Sequence, residues 1–255
     1  MTSLVMPAPA ERPLGTVTRL LVTVRDPYDR KYRPVGFLTD EDEGYCFSYL
    51  EREVARDDFR PLPGMARAVE GPMHSQTLFP LFAERVISSR RPDRQSSLEA
   101  LGLTADAAPF EVLVRSHGQR VGDTVELLPA PYAAPGEDVS FTFLTHGVRH
   151  LPQENQNRIT GLAYGEPLHL LAERTNPVNP RAQIVTDAEQ VTLGWMPDPL
   201  LDIVEQLADQ RITVERANPP EVGFHFRLLA RLTGRVAIDG ELFSGDAWRT
   251  VARRD

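Results

Sequence analysis

Few residues in this chain are able to do chemistry, and their spacing sets narrow limits on what that chemistry is. His146 and His150 lie four apart. On a strand, positions four apart share a face, as two metal ligands must. The next histidine, His169, has no acid at ligand spacing, so no metal site is expected. One cysteine, Cys46, excludes a Cys/His zinc site and an internal disulfide; in the Tyr45-Cys46-Phe47 segment it reads as a small apolar residue. Glu51, Glu53, Asp57 and Asp58 gather carboxylates. Arg52 and Arg56 are interleaved with them, which is the pattern of a solvated helix face with paired charges. Lys31 falls in a turn, not on a strand that would aim it at a phosphate. There is no Gly-x-x-x-x-Gly-Lys-Ser/Thr loop, no Gly-x-Ser-x-Gly elbow and no His-Glu-x-x-His helix. The expectation is a protein that is not an enzyme and uses no cofactor.

Composition bounds the rest. The chain has 255 residues, enough to bury a sizeable core and to hold two domains. Hydrophobic residues at 41% and charged residues at 25% are ordinary globular values. A single cysteine suits a reducing compartment, so a cytoplasmic location is expected. Residues 1–13 are rich in Ala and Pro, with no basic region before an apolar run, and do not read as a signal peptide. No apolar stretch approaches the ~18–20 residues needed to cross a bilayer, so no membrane partner is expected. The net charge of -8 argues against a long phosphate track, because counterion release favours a basic face. A compact pocket for one strand end needs few phosphate contacts and tolerates an acidic total.

The elements that position these residues divide at residues 129–137. Pro129, Pro131, Pro135 and Gly136 in that stretch read as a semi-rigid linker. Before it, alternating segments at 17–24, 33–39 and 44–49 predict a strand meander, with turns at 26–29 and 40–44. Helical spacing is read over 75–86, a short helix over 96–103 stopped by Gly102, and a further helix over 109–116. A strand returns at 123–128. After the linker come a strand over 139–150 and two strands joined by Asn176-Pro177-Val178-Asn179-Pro180. A Leu193-Gly194-Trp195-Met196-Pro197 stop follows. Residues 199–211 read as an amphipathic helix with Leu200, Leu201, Val204 and Leu207 on one stripe. Residues 224–232 read as a strand on which His225 and Arg227 share a face with Leu229 and Arg231. The fold class is α+β: a sheet-plus-helices domain over residues 14–130, then a small β-barrel domain with a helix over residues 138–255.

The second module resembles the HIRAN domain. That family places an Asn-Pro turn between two strands and follows it with a Gly-aromatic-x-Pro segment, matched here by Asn176-Pro177 and Gly194-Trp195-Met196-Pro197. The resemblance implies a small β-barrel that holds single-stranded DNA ends beside a helicase or nuclease. The first module resembles the N-terminal domain of HipA-type proteins. The residues that carry this likeness are Val35-Gly36-Phe37-Leu38, Phe47-Ser48-Tyr49, Leu81-Phe82-Ala83-Glu84-Arg85, Leu101-Gly102-Leu103, Pro109-Phe110-Glu111-Val112-Leu113, Gly118 and Val125-Glu126-Leu127-Leu128-Pro129. The sequence departs from that family at Val86-Ile87-Ser88-Ser89-Arg90. The kinase core that follows in that family is replaced by the HIRAN-like segment, so no ATP-binding residue carries over.

The HIRAN resemblance implies a candidate DNA-binding set of Thr145, Arg149, Arg174, Asn176, Asn179 and Trp195. Trp195 falls at the family's aromatic position and would stack on a base, worth about 1–3 kcal/mol. Asn179 stands where the family has an acid that accepts from a terminal 3′-hydroxyl; its amide oxygen can still accept. Arg149 and Arg174, with Arg181, would meet phosphates. The same residues have structural uses. Asn176 and Asn179 can hydrogen-bond their own turn, Trp195 can close the barrel core, and Arg174 can pair with Glu173 or Glu189. Two functions are therefore carried forward. One is a non-catalytic accessory protein that binds single-stranded DNA ends. The other is an antitoxin-like subunit that docks on a separately encoded HipA-type kinase.

Overall fold

The computed structural model describes residues 17–26, 28, 31–120, 122–240 and 242–253. The tail read over residues 1–13 lies outside them, as do Pro27 and Asp29 of the expected turn at 26–29.

The first half supplies β1 (Arg19–Arg25), β2 (Tyr32–Glu41), β3 (Gly44–Tyr49), α1 (Glu51–Val54), β4 (Met73–Ser75), α2 (Pro80–Ala83), α3 (Arg94–Ala100), α4 (Pro109–Ser116) and β5 (Val125–Pro129). Its strands form an antiparallel sheet in the order β4-β3-β2-β1-β5. Both faces of that sheet are covered. Along β1, Leu20 and Val22 enter a core with Phe47, Phe82 and Phe110, on the helix side. Leu21 points the other way, into a core with Phe37, Leu128, Phe141 and Phe143. This is the period-2 alternation of a strand whose two faces feed two cores; Thr23, buried between them, donates its hydroxyl to the Glu126 carbonyl at 3.1 Å.

The second half supplies β6 (Asp138–Leu144), α5 (Gln153–Thr160), β7 (Pro167–Ala172), β8 (Gln183–Thr186), β9 (Thr192–Trp195), α6 (Leu201–Glu205), β10 (Leu207–Ala217) and β11 (Leu228–Val236). They form an antiparallel sheet in the order β6-β11-β10-β7-β8-β9. The sheet curls into a half-barrel, and its outer ends touch where His146 and Trp195 pair as an isolated bridge.

The two halves share side chains. Leu98, Leu101 and Val112 of the helical layer pack with Leu144 of β6 and Leu229 of β11. Arg115 on α4 reaches Glu215 on β10 at 2.9 Å, and the Asn218 amide donates to the Ala100 carbonyl at 2.7 Å. Within the stretch read as a linker, Ala130 and Pro131 are buried, and the Arg19 guanidinium lies 3.7 Å from the Tyr132 ring centroid. The class is thus mixed α and β with two antiparallel sheets.

Several elements depart from the sequence reading, each for a local reason. The helix expected over 75–86 is only α2, because Pro80 lacks an N–H and holds Phe79 in an extended conformation. The helix expected over 199–211 shrinks to a tight turn at Asp198–Leu200 and α6, and the chain enters β10 at Leu207. There Leu207 pairs with Val236, and a bulge between Ala208 and Arg211 absorbs the change. The strand expected over 224–232 starts late: Phe224–Phe226 is a tight turn and β11 begins at Leu228. Arg227 therefore precedes the strand and does not share a β11 face with Leu229 and Arg231. It is buried and donates to the carbonyls of Asn218 and Gln156. The acidic face at α1 is only partly solvated, since Glu53 is buried against Arg33 at 3.0 Å.

Candidate functional site

A cleft of about 660 Å³ opens between the two halves, beside the point where the curled sheet meets itself. His146 donates its backbone N–H to the Trp195 carbonyl at 2.8 Å, and Trp195 donates back at 3.0 Å. The pairing demands close approach. Gly147, at φ +73, passes under the indole; a β-carbon there would fall 2.5 Å from Trp195 Cε3. Only glycine fits both the left-handed backbone and that gap. Arg25 and Tyr32 line the cleft from the first half, and Arg149, Asn179, Trp195 and Phe224 from the second. At its lip Val178 and Phe224 are 46% and 49% exposed, apolar groups left facing water.

A buried carboxylate group forms the floor. Glu126 lies on β5, an otherwise apolar strand, and is 2% exposed. Its Oε1 faces His146 Nε2 at 2.8 Å, Gln119 Nε2 at 2.9 Å and His117 Nδ1 at 3.3 Å. His117 follows α4 in a left-handed conformation, φ 56, which turns the chain so that its imidazole is wholly buried. Glu126 Oε2 and His117 Nε2 have no hydrogen-bond partner among the described residues. Burial alone would raise the Glu126 carboxyl, but His146 and His117 outweigh it and hold it well below the usual carboxylate range. Burial would lower His146, and the Glu126 charge reverses that and raises it. Burial and the same carboxylate push the Tyr32 phenol above its ordinary range.

The six residues expected at the site do not share one fate. Thr145, Arg149, Asn176, Asn179 and Trp195 all line the cleft; Arg174 does not. Thr145 is buried, with its hydroxyl toward the Leu228 carbonyl at 3.5 Å. Asn176 is occupied by its turn: its oxygen accepts from the N–H groups of Val178 and Asn179, and its nitrogen donates to Glu173 at 2.6 Å. The Asn179 oxygen accepts from Arg181 N–H at 2.9 Å. Trp195 is half-buried against the core, and its indole N–H donates to Glu173 at 2.7 Å. Arg149 is exposed and donates to His150 Nε2 at 3.0 Å. Arg174 is exposed and, among the described residues, pairs with neither expected acid: Glu173 accepts from Asn176 and Trp195, and Glu189 meets Arg158. Arg181 is neutralised by Asp202 and Glu205.

His117, Glu126, Tyr32 and Arg25 escaped the sequence reading. One signal was present: a lone Glu among Val125, Leu127 and Leu128 is an acid on a buried strand, and a buried acid needs partners. Pairing His146 with His150 in sequence pointed to the wrong histidine. The true neighbour is His117, on the other half of the molecule.

No protein-family model matches the chain, and no curated protein matches it. A crystal structure of a Lactobacillus plantarum protein from a structural genomics programme matches at 19% identity. The match covers 39% of this chain and 99% of that one, with a TM-score of 0.30.

Proposed function

We propose that the chain is a nucleic-acid-binding accessory protein whose cleft receives the end of a single strand. The observation that carries this reading is the convergence of Arg149, Asn179 and Trp195 from the second half with Arg25 and Tyr32 from the first on one cleft. An aromatic wall stacks a base, and a few guanidiniums meet one or two phosphates. A cavity of about 660 Å³ suits a terminal nucleotide rather than a long track, which is consistent with the net charge of -8. The HIRAN-like order of turn, glycine and aromatic residue supports the same assignment. Asp26, Asp123, Glu126 and Asp198 also line the cleft, so an extra terminal phosphate is disfavoured by charge.

Fluorescence anisotropy with a short labelled oligonucleotide at low salt tests the reading. A strand with a free 3′-hydroxyl should bind better than the same strand with a 3′-phosphate. Absence of binding up to ~100 µM protein, the weak end of ordinary non-specific affinity, sinks it.

A further inference from the structure

We propose that His117, Glu126 and His146 form a binding site for a divalent transition metal of the zinc class, open toward the cleft. One ligand atom from each residue lies within 4.8 Å of the others. Four tetrahedral ligands at zinc distances stand about 3.3 Å apart. The His117–Glu126 separation is 3.3 Å already, and the His146–Glu126 separation of 2.8 Å needs only a small opening.

The carboxylate itself shows an asymmetry that a purely hydrogen-bonded cluster does not require. Three nitrogens converge on Glu126 Oε1, while the buried Oε2 has no hydrogen-bond partner among the described residues. A cation on Oε1 would offset the charge that Oε2 shares, with no hydrogen-bond donor needed there. Two imidazoles and one carboxylate are donors for zinc, iron or cobalt rather than for calcium or magnesium, which prefer oxygen. His117 and Glu126 are sealed from solvent, whereas the His146 side chain is 21% exposed and lines the cleft. A metal there has three protein ligands and a coordination position facing the ligand space, the arrangement of sites that bind an exogenous oxygen. The left-handed His117 is the backbone cost of the arrangement: a non-glycine residue held at φ 56 to bring its ring inward.

The full-length chain is stripped with a chelator, dialysed, and titrated with Co²⁺ and then Zn²⁺ without any oligonucleotide. The expected result is one equivalent per chain, visible absorption bands of low-coordinate cobalt, and displacement by Zn²⁺. Glu126→Gln and His146→Ala should weaken uptake by more than about 100-fold. His74→Ala, which breaks the separate group of exposed Glu41 and His74 around buried Cys46, should leave the bands in place. Should a variant not fold, the wild-type chain still decides: Zn²⁺ must shift the imidazole NMR signals of His117 and His146 and spare those of His74. Failure to take up stoichiometric metal overturns the proposal, as do bands that survive His146→Ala or unmoved His117 and His146 signals. Oligonucleotide binding by the metal-free chain is a separate measurement, so the two proposals stand or fall apart.

Discussion

His146 and Trp195 are backbone partners, each donating its N–H to the other's carbonyl, at 2.8 and 3.0 Å. This one pair closes the curled sheet on itself. It also directs an imidazole onto the Glu126 floor and sets an indole in the wall of the same cleft. The residue that anchors the buried charge and the residue offered for stacking are therefore fixed by a single piece of backbone. A disturbance at either should be felt at both.

Gly147→Ala is the sharpest such disturbance. It forces a left-handed alanine and drives its β-carbon to 2.5 Å from the indole. The expected loss is about 2–4 kcal/mol, combining backbone strain and overpacking, together with reduced oligonucleotide binding as Trp195 shifts. Chemical denaturation and anisotropy on the same protein check both effects. An unchanged midpoint would mean that the pairing is looser than the distances imply.

The structural role of Trp195 and the stacking role proposed for it are separated by two substitutions. Trp195→Phe keeps an aromatic face but removes the N–H bond to Glu173, and should cost about 1–3 kcal/mol in stability with little loss of oligonucleotide affinity. Trp195→Ala should lower affinity about tenfold or more and also destabilise the half-barrel. Equal affinities for wild type and a folded Trp195→Ala would remove stacking from the account.

Arg149 is the cleft guanidinium whose described hydrogen bond goes to a histidine, not an acid. If it contacts one phosphate, Arg149→Ala should reduce the slope of log K against log salt by about 0.7, the single-strand value per phosphate. A titration series from low to moderate salt measures it. An unaltered slope places Arg149 outside the contact.

Glu215 links the halves, meeting Arg115 at 2.9 Å and Arg231 at 2.7 Å. Burial pushes its carboxyl up, but hydrogen bonds from Arg231 and Arg115 outweigh that and hold it below the ordinary value. A carboxyl depressed in the folded state stabilises above its unfolded pKa, about 4.3, and loses that contribution as pH falls through the folded value. At neutral pH Glu215→Gln should be less stable than wild type by about 2–3 kcal/mol. The gap should narrow steadily below about pH 4.3. Denaturation midpoints of the two proteins from pH 7 to pH 3 decide it, and parallel curves would rule out the clamp.

How much of this was legible depended on how local the information was. The strands β1, β2 and β3 were legible because alternation is written residue by residue, and β5 as a short, mostly apolar run. So was α4, expected over 109–116 and found at Pro109–Ser116, with Pro109 in its first turn. The Asn-Pro turn was legible as well: asparagine oxygens at Asn176 and Asn179 accept from N–H groups two or three residues on, a contact that needs no distant partner. Leu200, Leu201, Val204 and Leu207 fit a helical stripe equally well. Only the ladder to β11 showed that the chain turns to strand at Leu207, because pairing with a distant strand can outweigh local spacing.

The floor of the cleft was decided by tertiary structure alone. His117 caps a helix, Glu126 sits on the edge strand of one sheet, and His146 follows the edge strand of the other. No periodicity connects them. They meet because Leu21, Phe37 and Leu128 of the first half bury against Phe141 and Phe143 of the second, and the packing of two apolar sheet faces carries the polar residues at their edges together. Sequence determined which faces had to be buried; the fit of one face on the other determined which side chains became neighbours.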